Sequence, residues 1–188
     1  YQQDQRNNVD MLRNLKILYR DMAIIRRLCN EATSLQRQGE LALWAPLQGQ
    51  EAAQIGAGRA MAPNDFSFPS YREHGIAWTR GVPPSAWLAL FRGVTMGGWD
   101  PREYRHSVPT IVIGNQALNA VGYAMGIQRD GADEAVAGFE RALDGEIIQI
   151  AVEGRGLAPE LAGRMCVRVR REPVAVEHRQ PPVQIGRA

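Results

Sequence analysis

The densest run of chemistry-bearing side chains is Asp65-Phe66-Ser67-Phe68-Pro69-Ser70-Tyr71-Arg72-Glu73-His74-Gly75. Behind a set of aromatics and a proline, a phenol, a guanidinium, a carboxylate and an imidazole follow one another directly. A guanidinium grips phosphate oxygens as a fork, and a phenol adds a neutral donor. Tyr71 and Arg72 are therefore read as anchors for a phosphorylated ligand, with Ser70 and His74 beside them as contacting or supporting groups. The plainer reading of the same residues is a capped surface turn in which Arg72 pairs with Glu73 or Asp65. His74 is weighted towards a structural role. His106, in the glycine-rich loop that runs from Met96 to Pro109, is open between ligand contact and simple solvation. Nothing in the sequence assigns a catalytic base or nucleophile. The two cysteines, Cys29 and Cys166, stand far apart and form no metal pattern. They read as free thiols of a reducing cytoplasm, the plainer alternative being two buried small apolar residues, and no metal ligand is assigned.

The elements that must position these groups follow from periodicity. From Asp10, the residues Leu12, Leu15, Leu18, Tyr19, Met22, Ile25, Cys29, Ala32 and Leu35 recur at helical spacing, which predicts a long helix stopping near Gly39 with one broad apolar face. Residues 1–9 are expected to fray. Leu41–Pro46 is an extended piece. Gly49–Ala60 is a thin helix of alanines and glycines, whose cost of about 1 kcal/mol per glycine must be offset by close packing. A short helix follows the focal stretch and ends at Gly81; another begins at Pro83-Pro84, with proline favoured in the first turn. Met96–Pro109 reads as a loop too polar and glycine-rich for the core. Thr110–Gln116 is an apolar segment leading into a small-residue helix up to about Arg129. Glu134–Phe139 reads as a buried strand, Glu140–Val152 as a further helix, and Met165–Arg170 as an edge strand. Helices alternating with strands point to an α/β architecture.

Composition bounds the rest. The 188 residues suffice for one domain, and the hydrophobic content of 45% is ordinary for a globular chain. The net charge of +2 selects no partner, and the 22 basic residues, all arginine except Lys16, are spread out until the tail. Nucleic acid is not an expected partner on that ground. No apolar run approaches the roughly 18 residues of a membrane span. The start, Tyr1-Gln2-Gln3-Asp4, has neither an initiator Met nor a signal-peptide layout, which suggests an internal fragment. The reading divides the chain into a frayed segment 1–9, a folded part 10–153, and an Arg/Pro-rich tail 154–188 that is disordered or out of frame.

Taken together, several motifs resemble the α subunit of the thiamine-diphosphate-dependent E1 component of 2-oxo acid dehydrogenases, of the pyruvate and branched-chain type. They are Leu35-Gln36-Arg37-Gln38-Gly39, Gly49-Gln50-Glu51-Ala52, Tyr71-Arg72-Glu73-His74-Gly75, Arg80-Gly81, and Ile113-Gly114-Asn115-Gln116-Ala117 leading to Ala120-Val121-Gly122. They occur in family order over about residues 10–139. The resemblance implies an incomplete thiamin-diphosphate-binding fold of α/β class: a helix-rich part plus the start of a parallel sheet. It implies that Tyr71 and Arg72 reach the diphosphate of thiamine diphosphate, and that backbone at Ile113 meets the aminopyrimidine. It implies a reaction in which a small 2-oxo acid loses CO2 and its acyl group passes to the lipoyl domain of E2. It also implies an α2β2 assembly in the cytoplasm, in which an E1 β subunit supplies the glutamate that activates the cofactor.

The sequence departs from the family where Mg2+ should be held. After the strand at Val136–Phe139 the family has a Gly-Asp-Gly motif and, further on, an Asn-Asn pair; here Glu140-Arg141-Ala142 follows and no Asn-Asn occurs. A hard cation needs oxygen ligands in near-octahedral order, so the expected Mg2+ ligands are missing and the chain by itself is expected to be inactive. Two rivals follow. One is a non-catalytic remnant that keeps the interface helices without binding cofactor. The other is an unrelated helical module with an Arg-rich, nucleic-acid-binding tail.

Overall fold

The computed structural model describes residues 2–95, 97–141 and 147–153, with side chains described over 11–95 and 97–139. The Arg/Pro-rich tail and the strand expected at Met165–Arg170 lie outside the described residues. Helix α1 spans Gln2–Arg37. It starts well before Asp10 because no glycine or proline interrupts residues 2–9, so nothing local stops it. At 1.5 Å per residue it is about 54 Å long and outruns the core beneath it. Its apolar stripe consequently splits. Ile25, Cys29 and Ala32 are buried, with Leu18, Met22, Leu28 and Leu35 packed around them. Met11, Leu12, Leu15 and Tyr19 stay exposed, Tyr19 at 72%. The predicted apolar face of α1 thus packs on the core only in its C-terminal half.

An irregular segment carries Leu41, Trp44 and Leu47 into the core before helix α2, Glu51–Ala60. Helix α3, His74–Thr79, lies against α2. The thin face of α2 serves that approach at one position: a Cβ on Gly58 would sit 2.0 Å from Thr79 Oγ1. Gly56 faces open space instead, so packing offsets one of the two glycine penalties. Helix α4, Pro84–Arg92, has proline in its first turn and buries Trp87 and Phe91. These residues join Ile25, Cys29, Trp44, Ile55, Ala77 and Val82 in the main core. Each large side chain buried there stabilises the fold by roughly 1.5–3 kcal/mol.

The Met96–Pro109 stretch is not simply a loop. Asp100 caps a short helix α5, Pro101–Tyr104, by accepting from Arg102 N, and His106 is buried. Helix α6, Asn115–Asp130, buries Ala120, Ala124 and Ile127 against the sheet and points Gly122 and Gly126 outward.

The sheet has three strands, β1 (Phe66–Phe68), β2 (Ala135–Arg141) and β3 (Ile147–Glu153), in the order β1-β2-β3. β1 and β2 run parallel with Phe66 opposite Val136 and Phe68 opposite Gly138. β2 and β3 run antiparallel, from Arg141 opposite Ile147 to Ala135 opposite Glu153. The helix expected over Glu140–Val152 is therefore overturned. Ile147-Ile148-Gln149-Ile150-Ala151-Val152 is dominated by β-branched residues, which are stiff in a helix and suit a pleated surface. The result is a helix-rich chain with a small mixed sheet whose β1–β2 core is parallel. Among the described residues, no helix is long and apolar enough to cross a membrane.

Candidate functional site

Two parallel strands with α6 running back between them place three features at one end of the sheet. The carboxyl end of β1 feeds the Pro69–Glu73 turn. The carboxyl end of β2 lies beside it by register. The amino end of α6 is tied there by Gln116, whose buried Nε2 donates to Phe139 O at 2.8 Å. In open α/β sheets this carboxyl-end crevice is where ligands bind, and a helix amino terminus there favours anions.

Arg72 is half-buried at this end and is held by neutral groups. Its Nη1 donates to Pro46 O at 2.8 Å, and its guanidinium lies over the Tyr71 ring, 5.2 Å from the centroid. Among the described residues, no carboxylate forms an ion pair with it. The salt bridge to Asp65 or Glu73 considered from sequence is not formed. Asp65 instead accepts from Ala62 N at 2.7 Å and Ala135 N at 2.9 Å, fastening the start of β1 to the start of β2. Tyr71 is half-buried, and buried Ser70 accepts weakly from Arg72 N at 3.4 Å.

The turn is positioned by α2. Gln54 Oε1 accepts from Gly75 N at 2.9 Å, while its Nε2 donates to Arg72 O at 3.2 Å and Gln50 Oε1 at 3.1 Å. Glu51, the next residue of the Gly49-Gln50-Glu51-Ala52 signature, pairs with Arg26 of α1 and accepts from Gly49 N at 2.9 Å. The hydrogen bond from Arg26 holds its carboxyl below the usual carboxylate range. The signature thus links the core helix to the Arg72 turn. Arg80 does similar work from the other side, donating to the carbonyls of Ala62, Pro63, Asp65 and Tyr104. Neither Gln54 nor Arg80 was assigned a role from sequence. A buried glutamine one helical turn after Gln50, and an arginine closing a short helix, are the signals that were there to be used.

Both histidines are interior. His74 stacks on Trp44 with ring centroids 4.3 Å apart, and Trp87 stacks further off at 6.0 Å. Its Nε2 lies 3.1 Å from Ala45 O, so that nitrogen carries the proton and donates. Burial pushes its pKa down to about 4, leaving a neutral ring at pH 7. His106 is 1% exposed, which removes the solvated alternative. Its Nδ1 is 2.8 Å from Ser67 Oγ, and its ring stacks on Trp99 at 5.7 Å. Burial, helped by the Arg80 charge, pushes its pKa down to about 3. It pairs with Ser67 across a one-residue parallel bridge on the free side of β1. His74, His106 and Ser70 share the wall of a cavity of about 10 Å³, at the threshold for a single water. The two rings therefore shape the site as uncharged packing groups.

Ile113 stands two positions before α6 and is 66% exposed, with Ile111 and Val112 exposed beside it. The apolar segment leading into α6 thus presents its side chains outward at the site end of the sheet. For a metal, among the described residues no group of three or more His, Cys, Asp or Glu is arranged to hold one.

The residues that build this end of the sheet coincide with a family pattern. The pattern of the Dehydrogenase E1 component matches residues 19–140, and the chain belongs to that family. Over 125 residues it is 42% identical to the 3-methyl-2-oxobutanoate dehydrogenase subunit alpha of Mycobacterium tuberculosis (strain CDC 1551 / Oshkosh), covering 66% of this chain and 34% of that protein. It is 36% identical over 117 residues to the pyruvate dehydrogenase E1 component subunit alpha of Bacillus cereus, covering 62% of this chain and 32% of that protein. The same figures hold for the subunit of that name from Bacillus subtilis (strain 168). The chain spans about a third of the length of the curated relatives it matches.

Proposed function

We propose that the chain is part of an E1 α subunit of a 2-oxo acid dehydrogenase and that it anchors the diphosphate of thiamine diphosphate through Arg72 and Tyr71. The observation that carries this reading is Arg72 itself: a guanidinium at the carboxyl end of β1, braced by Pro46 O and the Tyr71 ring, with no ion pair among the described residues. Those donors fit a diphosphate in kind. Arg72 would neutralise phosphate charge, Tyr71 would add a hydroxyl donor, and the amino end of α6 would favour the anion, with backbone at Ile113 beside the aminopyrimidine. When bound, the cofactor supplies the carbon nucleophile that attacks the 2-oxo acid and takes up the electrons left as CO2 departs. His74, His106 and Ser70 would keep the floor of the site dry and rigid. The activating glutamate would come from an E1 β subunit in an α2β2 assembly, and the acyl group would pass to the lipoyl domain of E2 in the cytoplasm.

In the sequence, Glu140-Arg141-Ala142 follows Phe139 where the family resemblance calls for an oxygen-rich Mg2+ motif, and an arginine at such a position is poorly suited to a dication. That mismatch favours a second reading, a remnant that assembles with its partner but binds no cofactor. Calorimetric titration of thiamine diphosphate with MgCl2 in the presence of an E1 β subunit separates the two. Saturable heat supports the cofactor-binding reading, and its absence leaves the remnant.

A further inference from the structure

We propose that Gln54 is the positioning residue of the Arg72 anchor, its side-chain amide clasping both ends of the Arg72–Gly75 turn. This rests on the reading of Arg72 as the diphosphate anchor and extends it to a residue on another helix.

The amide orientation is forced. Gly75 N–H can only donate and Arg72 C=O can only accept, so Oε1 must face the first at 2.9 Å and Nε2 the second at 3.2 Å. Gln50 Oε1 takes a further bond from Nε2 at 3.1 Å. The side chain is buried, so water does not compete for these partners. Gly75 completes the fit: a Cβ there would lie 2.9 Å from both Gln54 Cβ and Oε1. A side chain at 75 would therefore push the amide away from the turn. Within the turn itself the backbone bonds are local, His74 N to Arg72 O at 2.9 Å and Ile76 N to Glu73 O at 3.1 Å. Beside the bonds of Arg72 Nη1 to Pro46 O and His74 Nε2 to Ala45 O, Gln54 refers the backbone of the turn to a fixed frame, because α2 is itself locked to α1 through Glu51 and Arg26. A displacement of Arg72 Cα by a fraction of an ångström swings the guanidinium at the end of its long side chain much further. Positioning errors of that kind are what supporting residues prevent.

The test is a double-mutant cycle on the full chain, with an E1 β subunit and MgCl2 present, reading thiamine diphosphate affinity by calorimetry. Gln54→Met keeps the volume and removes both polar contacts. It should weaken binding about ten-fold, the order expected when a charged hydrogen bond to phosphate is misaligned. In an Arg72→Ala background the same change should cost little more, because Gln54 acts through Arg72. Wild-type affinity for Gln54→Met, or a full additive loss in the Arg72→Ala background, overturns the inference and leaves Gln54 as a stability residue. If Gln54→Met does not fold, Gln54→Asn, too short to hold both ends, carries the same comparison with the same two outcomes. The proposals fail separately: loss on Arg72→Ala without loss at Gln54 sinks only the positioning role, and no binding by the wild type sinks the anchor reading and this extension with it.

Discussion

Arg59→Ala should destabilise the fold strongly at neutral pH and much less in acid. Asp21 lies on α1 with its side chain 0% exposed, and Arg59 on α2 is its main partner at 40% exposure. Arg59 Nε donates to Asp21 Oδ2 at 2.9 Å, and its Nη2 reaches the same oxygen. Burial pulls the Asp21 carboxyl upward, but hydrogen bonds from Arg59, Trp78 and Arg20 outweigh it and hold the group below its ordinary 3.8. Breaking a buried pair by removing one partner costs about 3–5 kcal/mol. Arg59 is partly solvated, and Trp78 and Arg20 remain, so about 2–3 kcal/mol is expected here. In the wild type the depressed value means that Asp21 contributes stability above pH 4 and loses it as pH falls through the folded-state value. In the variant, burial dominates and the carboxyl moves above its ordinary value. Its contribution then turns unfavourable at pH 7 and is relieved on protonation. Urea unfolding at pH 7 and pH 4 should thus show a gap between the two proteins that narrows in acid. A gap under about 1 kcal/mol at pH 7, or one equal at both pH values, would refute the reasoning.

Three further outcomes follow from the packing. Gly58→Ala should cost about 1–3 kcal/mol through overpacking against Thr79; Gly58→Ala/Thr79→Ala should recover most of it in thermal melts, and failure to recover would place the cost elsewhere. The buried neutral rings of His74 and His106, at about 4 and about 3, bind fewer protons folded than unfolded below pH 6.5. Stability should therefore fall as pH drops from about 6 towards 4, with a slope near 1.4 kcal/mol per pH unit for each ring; His74→Phe should remove about half of that slope in urea titrations. Exposed Leu118 and Met125 on α6 and Leu15 and Tyr19 on α1 should make the isolated chain self-associate; sedimentation of Leu118→Asp/Met125→Asp should show smaller species, and an unchanged, monomeric wild type would contradict this.

The helices and their ends were legible where punctuation is strong. Pro83 and Pro84 open α4 where the sequence predicts its start, and α6, predicted to run to about Arg129, ends at Asp130. Of the readings that failed, one had a local cause and two depended on tertiary context. The α1 stripe looked uniform in sequence because periodicity does not say how far the core extends. The helix assigned to Glu140–Val152 weighed spacing and overlooked β-branching at Ile147, Ile148, Ile150 and Val152. The polar look of Met96–Pro109 concealed His106, which is buried because Ser67 and Trp99 satisfy and cover it. The site was half legible. A run of polar residues marked the Arg72 turn, but its support by Gln54 and Arg80 depends on residues distant along the chain that meet only in the fold.

The central claim is that Arg72 binds phosphate, and its control must be an arginine that holds no other part of the fold together. The exposed Arg102, outside every ion pair among the described residues, is such a residue. The most direct measurement is the thiamine diphosphate dissociation constant of wild type, Arg72→Ala and Arg102→Ala, each with an E1 β subunit and MgCl2. The account predicts a loss of roughly 10–100-fold for Arg72→Ala, the value of a charged hydrogen-bonded contact, and wild-type affinity for Arg102→Ala. Equal affinities for all three proteins would contradict it.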